Sequence, residues 1–196
     1  MKRKLLIIIL LSLVVILFLA NLILIQYKGK LAIQDSLFSQ GQRKAQASLS
    51  LKPRTIRVRS GQTFNLTVML NTNSTDTSGV GSIIHFNPQY LSVKNIVSGK
   101  LFGLYPAKEA NNYLGEVKIS GVSFDPANGK PSKAFSGQGK FATIEFLVKP
   151  VSKKELLEVS FEFLNQGNTT DSNIMDAKTA KDILSKVENC QLEILP

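Results

Sequence analysis

Few residues in this 196-residue chain could do chemistry: it has one histidine, His85, and one cysteine, Cys190. A hydrolase needs a nucleophile with a base and an orienting group, or a carboxylate pair in a cleft. With one His and no Gly-x-Ser-x-Gly, His-Glu-x-x-His or phosphate-loop pattern, the sequence offers no recognisable catalytic grouping, and the chain is read as a non-enzyme. A single Cys excludes an intrachain disulfide and a Cys-based zinc site, so Cys190 reads as a small apolar residue of a terminal strand. The one cation candidate is "DSNIMDAKTAKD", which supplies Asp171, Asn173, Asp176 and Asp182 as hard oxygen donors in one loop. It lacks the EF-hand order of acids, central Gly and closing Glu. It reads first as a polar loop, with structural calcium as the alternative and no other cofactor expected. Asn-x-Ser/Thr sequons at Asn65, Asn73 and Asn168 matter only in a host that glycosylates exported proteins.

The elements that must carry these residues have period two. "TFNLTVML" puts Phe64, Leu66, Val68 and Leu70 on one face and Asn65 and Thr67 on the other, the alternation of a half-buried strand. The same alternation recurs at Ile56 and Val58; Ser82, Ile84 and Phe86; Val117 and Ile119; Ala142, Ile144, Phe146 and Val148; Val159, Phe161 and Phe163; and Cys190, Leu192 and Ile194. Turn formers such as "RSGQ", "FNPQ", "DPANGKPS" and "SGQG" separate the runs. Short strands with such punctuation and no strong helical stretch predict an all-β antiparallel sandwich over residues 48–196. With Ile84 and Phe86 inward, His85 and Ile83 point outward, where a lone His is a solvated or partner-facing group.

The first quarter of the chain differs. After the basic start at residues 1–4, residues 5–25 run uncharged with only Ser12 and Asn21 polar, the length of a helix that crosses a bilayer. The apolar run exceeds that of a cleaved signal peptide, and bulky Phe18 precedes the best small-residue cut, so an uncleaved signal anchor is expected. Residues 26–47, rich in Gln, Ser and Lys, read as a polar stalk. A very short basic start before one long span places the later domain outside the cell, as a single-pass membrane protein. Of the net charge of +10, residues 1–44 carry +6 and residues 45–196 only +4. Most of the excess therefore flanks the expected membrane span, and no basic stripe interleaved with aromatics points to nucleic acid.

In order, "SGQTFNLTVML", "GVGSIIHFNPQYLSV", "GEVKISGVSFD", "SGQGKFATIEFLVKP", "LEVSFEFLNQGNTTDSNIMDA" and "ENCQLEI" resemble a cohesin domain over about residues 48–195. Three pieces carry the resemblance: Gly-x-x-Phe at residues 61–64, the family's Tyr-Asp-Pro-x-x-Leu written here as Phe86-Asn87-Pro88-Gln89-Tyr90-Leu91, and Gly-x-x-Ala-x-Ile-x-Phe at residues 139–146. The resemblance implies a nine-stranded jelly-roll β-sandwich, related to carbohydrate-binding modules, that binds dockerin modules through an outer sheet face. Strands matching residues 80–86, 116–124 and 140–148 build that face, which gives Ile83, His85, Lys118, Ser120, Thr143, Glu145 and Leu147 as partner-binding candidates. The chain departs from the pattern at Gly79 and Gly81, where the family carries polar dockerin-reading side chains, and at Asn87, which replaces Asp. Tethering of dockerin-bearing proteins at the cell surface is thus the leading expectation. Direct polysaccharide binding is the second, although the domain has no Trp and Tyr90, Tyr105 and Tyr113 are its remaining candidates for stacking on sugar rings. A structural envelope protein is the third.

Overall fold

The structure is a computed structural model that describes residues 47–168 and 170–196. Fourteen strand segments run through them: β1 (Ala47–Lys52), β2 (Thr55–Arg59), β3 (Thr63–Asn71), β4 (Thr77–His85), β5 (Leu91–Ser98), β6 (Leu104–Asn111), β7 (Glu116–Val122), β8 (Phe124–Asp125), β9 (Lys130–Pro131), β10 (Gln138–Val148), β11 (Glu155–Phe161), β12 (Asn173–Asp176), β13 (Leu184–Glu188) and β14 (Cys190–Leu195). They form a sandwich of a five-stranded sheet, β13-β1-β3-β10-β5, and a seven-stranded sheet, β2-β14-β11-β4-β7-β6 with β12 also on β4. β8 and β9 make a separate short hairpin. No helix of the described residues is long and apolar enough to cross a membrane. The expected anchor at residues 5–25 and nearly all of the stalk lie outside the described residues; Ala47, the last residue assigned to the stalk, is the buried first residue of β1.

The all-β sandwich is as expected, but nine strands and purely antiparallel pairing are not. The chain switches sheets at two corners, one near each end of the domain. β1 lies in one sheet and β2 in the other, with the break at Pro53, whose ring nitrogen cannot donate to a ladder. β13 and β14 divide likewise at Asn189, which turns its side chain to the chain itself, accepting from Phe161 N at 3.1 Å. These two corners bring the first and last strands side by side in the same direction, so β1 pairs with β13 and β2 with β14 in parallel. The remaining extra segments are short pieces such as β8, β9 and β12.

The core fills the space between the sheets. Leu66, Val68 and Leu70 of β3 and Ala142, Ile144 and Phe146 of β10 meet Ile84, Val117, Ile119, Val159, Leu192 and Ile194 of the facing sheet, all of them buried. Each large apolar side chain so buried contributes about 1.5–3 kcal/mol, which makes the alternation seen in the sequence the main determinant of which face of each strand turns inward. Phe146 stacks on Phe64 across the β3–β10 pair and meets Phe86 of the opposite sheet edge-on, tying the layers together at one end.

Candidate functional site

The outer face of the seven-stranded sheet gathers four of the seven partner-binding candidates. β4 and β7 are antiparallel neighbours with His85 opposite Glu116, Ile83 opposite Lys118 and Gly81 opposite Ser120. β6 extends the rows, with Glu109 opposite Lys118 and Ala107 opposite Ser120, whose Oγ accepts from Ala107 N at 3.1 Å. On the other side of β4, Glu162 follows the end of β11, its N–H donating to Ile83 O at 2.8 Å. Ser172 closes the remaining gap: Ile83 N donates to Ser172 Oγ at 3.0 Å, and that hydroxyl donates to Ile83 O at 3.2 Å. The backbone around Ile83 and His85 is therefore held from both sides.

Side chains on this face are mixed in character. His85 Nε2 lies 2.8 Å from Glu162 Oε2, and Lys118 Nζ lies 3.0 Å from Glu116 Oε1. Ile83 is a partly exposed apolar residue between them. Gly79 and Gly81 leave a low stretch on β4, and Asn173 of β12 leans over Gly81. The turn that joins β6 to β7 ends the face with exposed Tyr113 and Leu114. Its tight course depends on Gly115, at φ +73°, whose carbonyl accepts from Phe86 N at 2.8 Å.

The other three candidates do not join this face. Thr143, Glu145 and Leu147 lie on β10, in the five-stranded sheet, with Asn65, Thr67, Asn95 and Val97 as outward neighbours on β3 and β5. The outer faces of two packed sheets point away from each other, so the seven residues form two surfaces and not one. Alternation along a strand gives the inward and outward sides correctly at all seven positions, but it carries no information about which sheet a strand joins.

The tyrosines do not make a sugar-stacking strip. Tyr105 packs among Phe102 and Phe141, at centroid distances of 6.2 and 5.5 Å, and its burial pushes the phenol above its ordinary pKa. Tyr90 packs against the core, and of these three only Tyr113 stands free, 89% exposed. The loop acids are engaged with backbone. Asp176 accepts from Lys178 N and Thr179 N at 2.7 and 2.9 Å; the Thr179 amide is the main cause holding its carboxyl below the usual range. Asp182 Oδ1 accepts from Ile174 N and Leu184 N, its Oδ2 accepts from Gly167 N, and Asp171 Oδ2 accepts from Leu164 N. Asn173 Nδ2 donates to Asp171 O at 3.1 Å. Among the described residues, the one group of three His, Cys, Asp or Glu donors close enough to share an ion is His85, Glu116 and Glu162. The two glutamates carry no signal in the sequence, because only strand register brings them to His85. Cys190 is fully buried, which pushes its thiol up to about 11.

A sequence model of the cohesin domain matches residues 49–185. The chain belongs to the cohesin domain family. Comparison with curated proteins gives no match. Among solved structures, this cohesin resembles the OlpC cohesin in a type I cohesin–dockerin complex from Clostridium thermocellum, at 14% identity and a TM-score of 0.61, over 76% of this chain and 94% of that one. It also resembles the third ScaC cohesin in complex with the ScaB dockerin of Acetivibrio cellulolyticus, at 17% identity and a TM-score of 0.59, over 76% of this chain and 99% of that one. A non-cellulosomal cohesin from the hyperthermophilic archaeon Archaeoglobus fulgidus matches at 14% identity and a TM-score of 0.53, over 78% of this chain and 93% of that one. At these identities the likeness is one of fold, which in this cohesin sets β4, β7 and β6 side by side as a broad outer face.

Proposed function

We propose that this cohesin is a non-catalytic protein-binding module that captures dockerin-bearing partners through the outer face of β4, β7 and β6, with Ile83, His85, Lys118 and Ser120 at its centre. Membership of the cohesin family carries the proposal, and the composition of the face supports it. Partner-binding surfaces combine apolar and aromatic anchors with charged groups that set orientation. Here Ile83, Tyr113 and Leu114 supply the first, and His85, Glu116, Lys118 and Glu109 the second. The β10 face, built around Thr143 and Glu145 with Val97 beside them, is assigned no partner. Gly79 and Gly81 replace side chains that read dockerins elsewhere in the family, so the cognate dockerin differs in the residues that would meet β4.

Tethering at the cell surface is part of the same proposal, supported by the uncharged run at residues 5–25 after a basic start. Shaved intact cells should lose the domain to external protease. The function itself is tested by titrating the chain with dockerin modules and, separately, with insoluble polysaccharides, each with and without calcium. Saturable binding to a dockerin supports the proposal; retention on polysaccharide alone would replace it. A rise in thermal stability of the chain by itself on adding calcium would assign a structural ion to the loop of Asp171, Asn173 and Asp176.

A further inference from the structure

We propose that His85, Glu116 and Glu162 form a surface site for a zinc-class divalent cation. One donor atom from each lies within 4.8 Å of the other two, and His85 Nε2 and Glu162 Oε2 are 2.8 Å apart. Ligands at ~2.0–2.2 Å from a tetrahedral zinc sit roughly 3.4 Å from one another, so small side-chain rotations suffice to admit the ion. The backbone positions are fixed: His85 and Glu116 are directly opposite in the β4–β7 ladder, Ser160 of β11 pairs with His85, and Glu162 is tied to Ile83 O. Three donors therefore come from three adjacent chain segments of one sheet, without a loop that must fold on binding.

The donor set selects the metal. One imidazole with two carboxylates suits zinc and its first-row neighbours, whereas calcium takes six to eight oxygens and magnesium an octahedron of them. Lys118 occupies one oxygen of Glu116 at 3.0 Å and leaves the other for the ion. Side-chain exposures of 44% for His85 and 38% for Glu162 leave open coordination positions toward solvent. Three protein ligands with an open position are what a zinc that binds an outside group requires. The site shares His85 and Glu116 with the face proposed for dockerin capture, but it is complete in the free chain, so cation uptake and dockerin binding can fail independently.

The test is a calorimetric titration of the full-length chain in detergent with zinc chloride, repeated with cobalt to read the ligand-field bands of a low-coordinate site. One ion per chain is expected, with excess calcium leaving the zinc isotherm unchanged. His85→Ala and Glu162→Gln should each weaken zinc at least ~100-fold, since loss of even an outer-shell partner costs ~10–100-fold. Both lie on the surface, and unchanged far-UV circular dichroism confirms their fold. Lys118→Met should bind zinc at least as well as the parent. No zinc uptake up to millimolar concentration, or uptake unaltered by His85→Ala, overturns the proposal.

Discussion

Phe146→Ala removes the side chain that joins the two layers. Phe146 is completely buried on β10, stacked on Phe64 at 5.4 Å with 15° between ring planes and edge-on to Phe86 at 5.4 Å and 75°. Truncating a core Phe to Ala costs about 3–5 kcal/mol, as lost transfer energy and residual cavity. Two aromatic pairs, each worth about 0.5–1.5 kcal/mol beyond area, place this position in the upper half of the range, at about 4–5 kcal/mol. Against a typical total of ~5–15 kcal/mol, that leaves a marginal domain. At ~2–4 °C per kcal/mol for a domain of this size, Tm should fall by about 8–20 °C. The assay is urea and thermal denaturation followed by the β-sheet circular dichroism signal, with the urea midpoint moving at unchanged slope. Leu156→Ala, at a position 73% exposed, is the control and should stay within ~0.5 kcal/mol. A loss below about 1.5 kcal/mol at Phe146 would refute the packing assigned to this end of the core.

Gly115→Ala should cost about 3 kcal/mol or more, because φ is +73° and an added Cβ would run into Phe86 O and, at 2.8 Å, Pro88 Cδ. Gly129→Ala shares the left-handed backbone, φ +67°, but meets open space and should cost only ~1 kcal/mol; equal losses in denaturation would contradict the steric account. Glu188 and Glu193 are held below the ordinary carboxylate range, Glu188 first by Lys186 and then Arg54, Glu193 first by Lys154 and then Arg57. A depressed carboxylate lends stability above its unfolded pKa and loses it as pH falls through the folded value, so Tm should decline as pH drops below about 4.5. The Tm gap between the parent and Glu188→Gln should accordingly be present near pH 6 and shrink as pH falls below the ordinary carboxylate range; a gap that widens in acid would be the wrong sign.

Much of the fold is legible in the sequence because burial of a strand face is a local, period-two signal. Phe64, Leu66, Val68 and Leu70 are all buried as read, and so are Ala142, Ile144, Phe146 and Val148. β6 is missed because its residues alternate poorly: it is an edge strand, mostly exposed, with an irregular register between Leu104 and Ala107. β1, β5 and β13 are likewise absent from the runs read in the sequence, and the sheet switches at Pro53 and Asn189 beside β1 and β13 are tertiary events. At the candidate site, His85 and Ile83 are found correctly on the outward side. The assignment of β10 to the same face fails because sheet membership is decided by pairing partners far along the chain. Glu116 and Glu162 are invisible for the same reason, since only register sets them beside His85. Tyr105 reads as a candidate for stacking on sugar rings, yet it packs with Phe102 and Phe141.

The central claim is that one particular sheet face captures a protein partner, and a pair of charge insertions tests it most directly. Ile83→Arg places a second cation opposite Lys118 at the middle of the β4–β7 face, while Thr143→Arg places the same group on β10 of the other sheet. Both are measured calorimetrically against a dockerin that binds the parent chain. Ile83→Arg should weaken binding at least ~10–100-fold through a buried like-charge clash, with Thr143→Arg unchanged within about twofold. Loss of binding in Thr143→Arg with Ile83→Arg unaffected would move the interface to the five-stranded sheet and contradict the account.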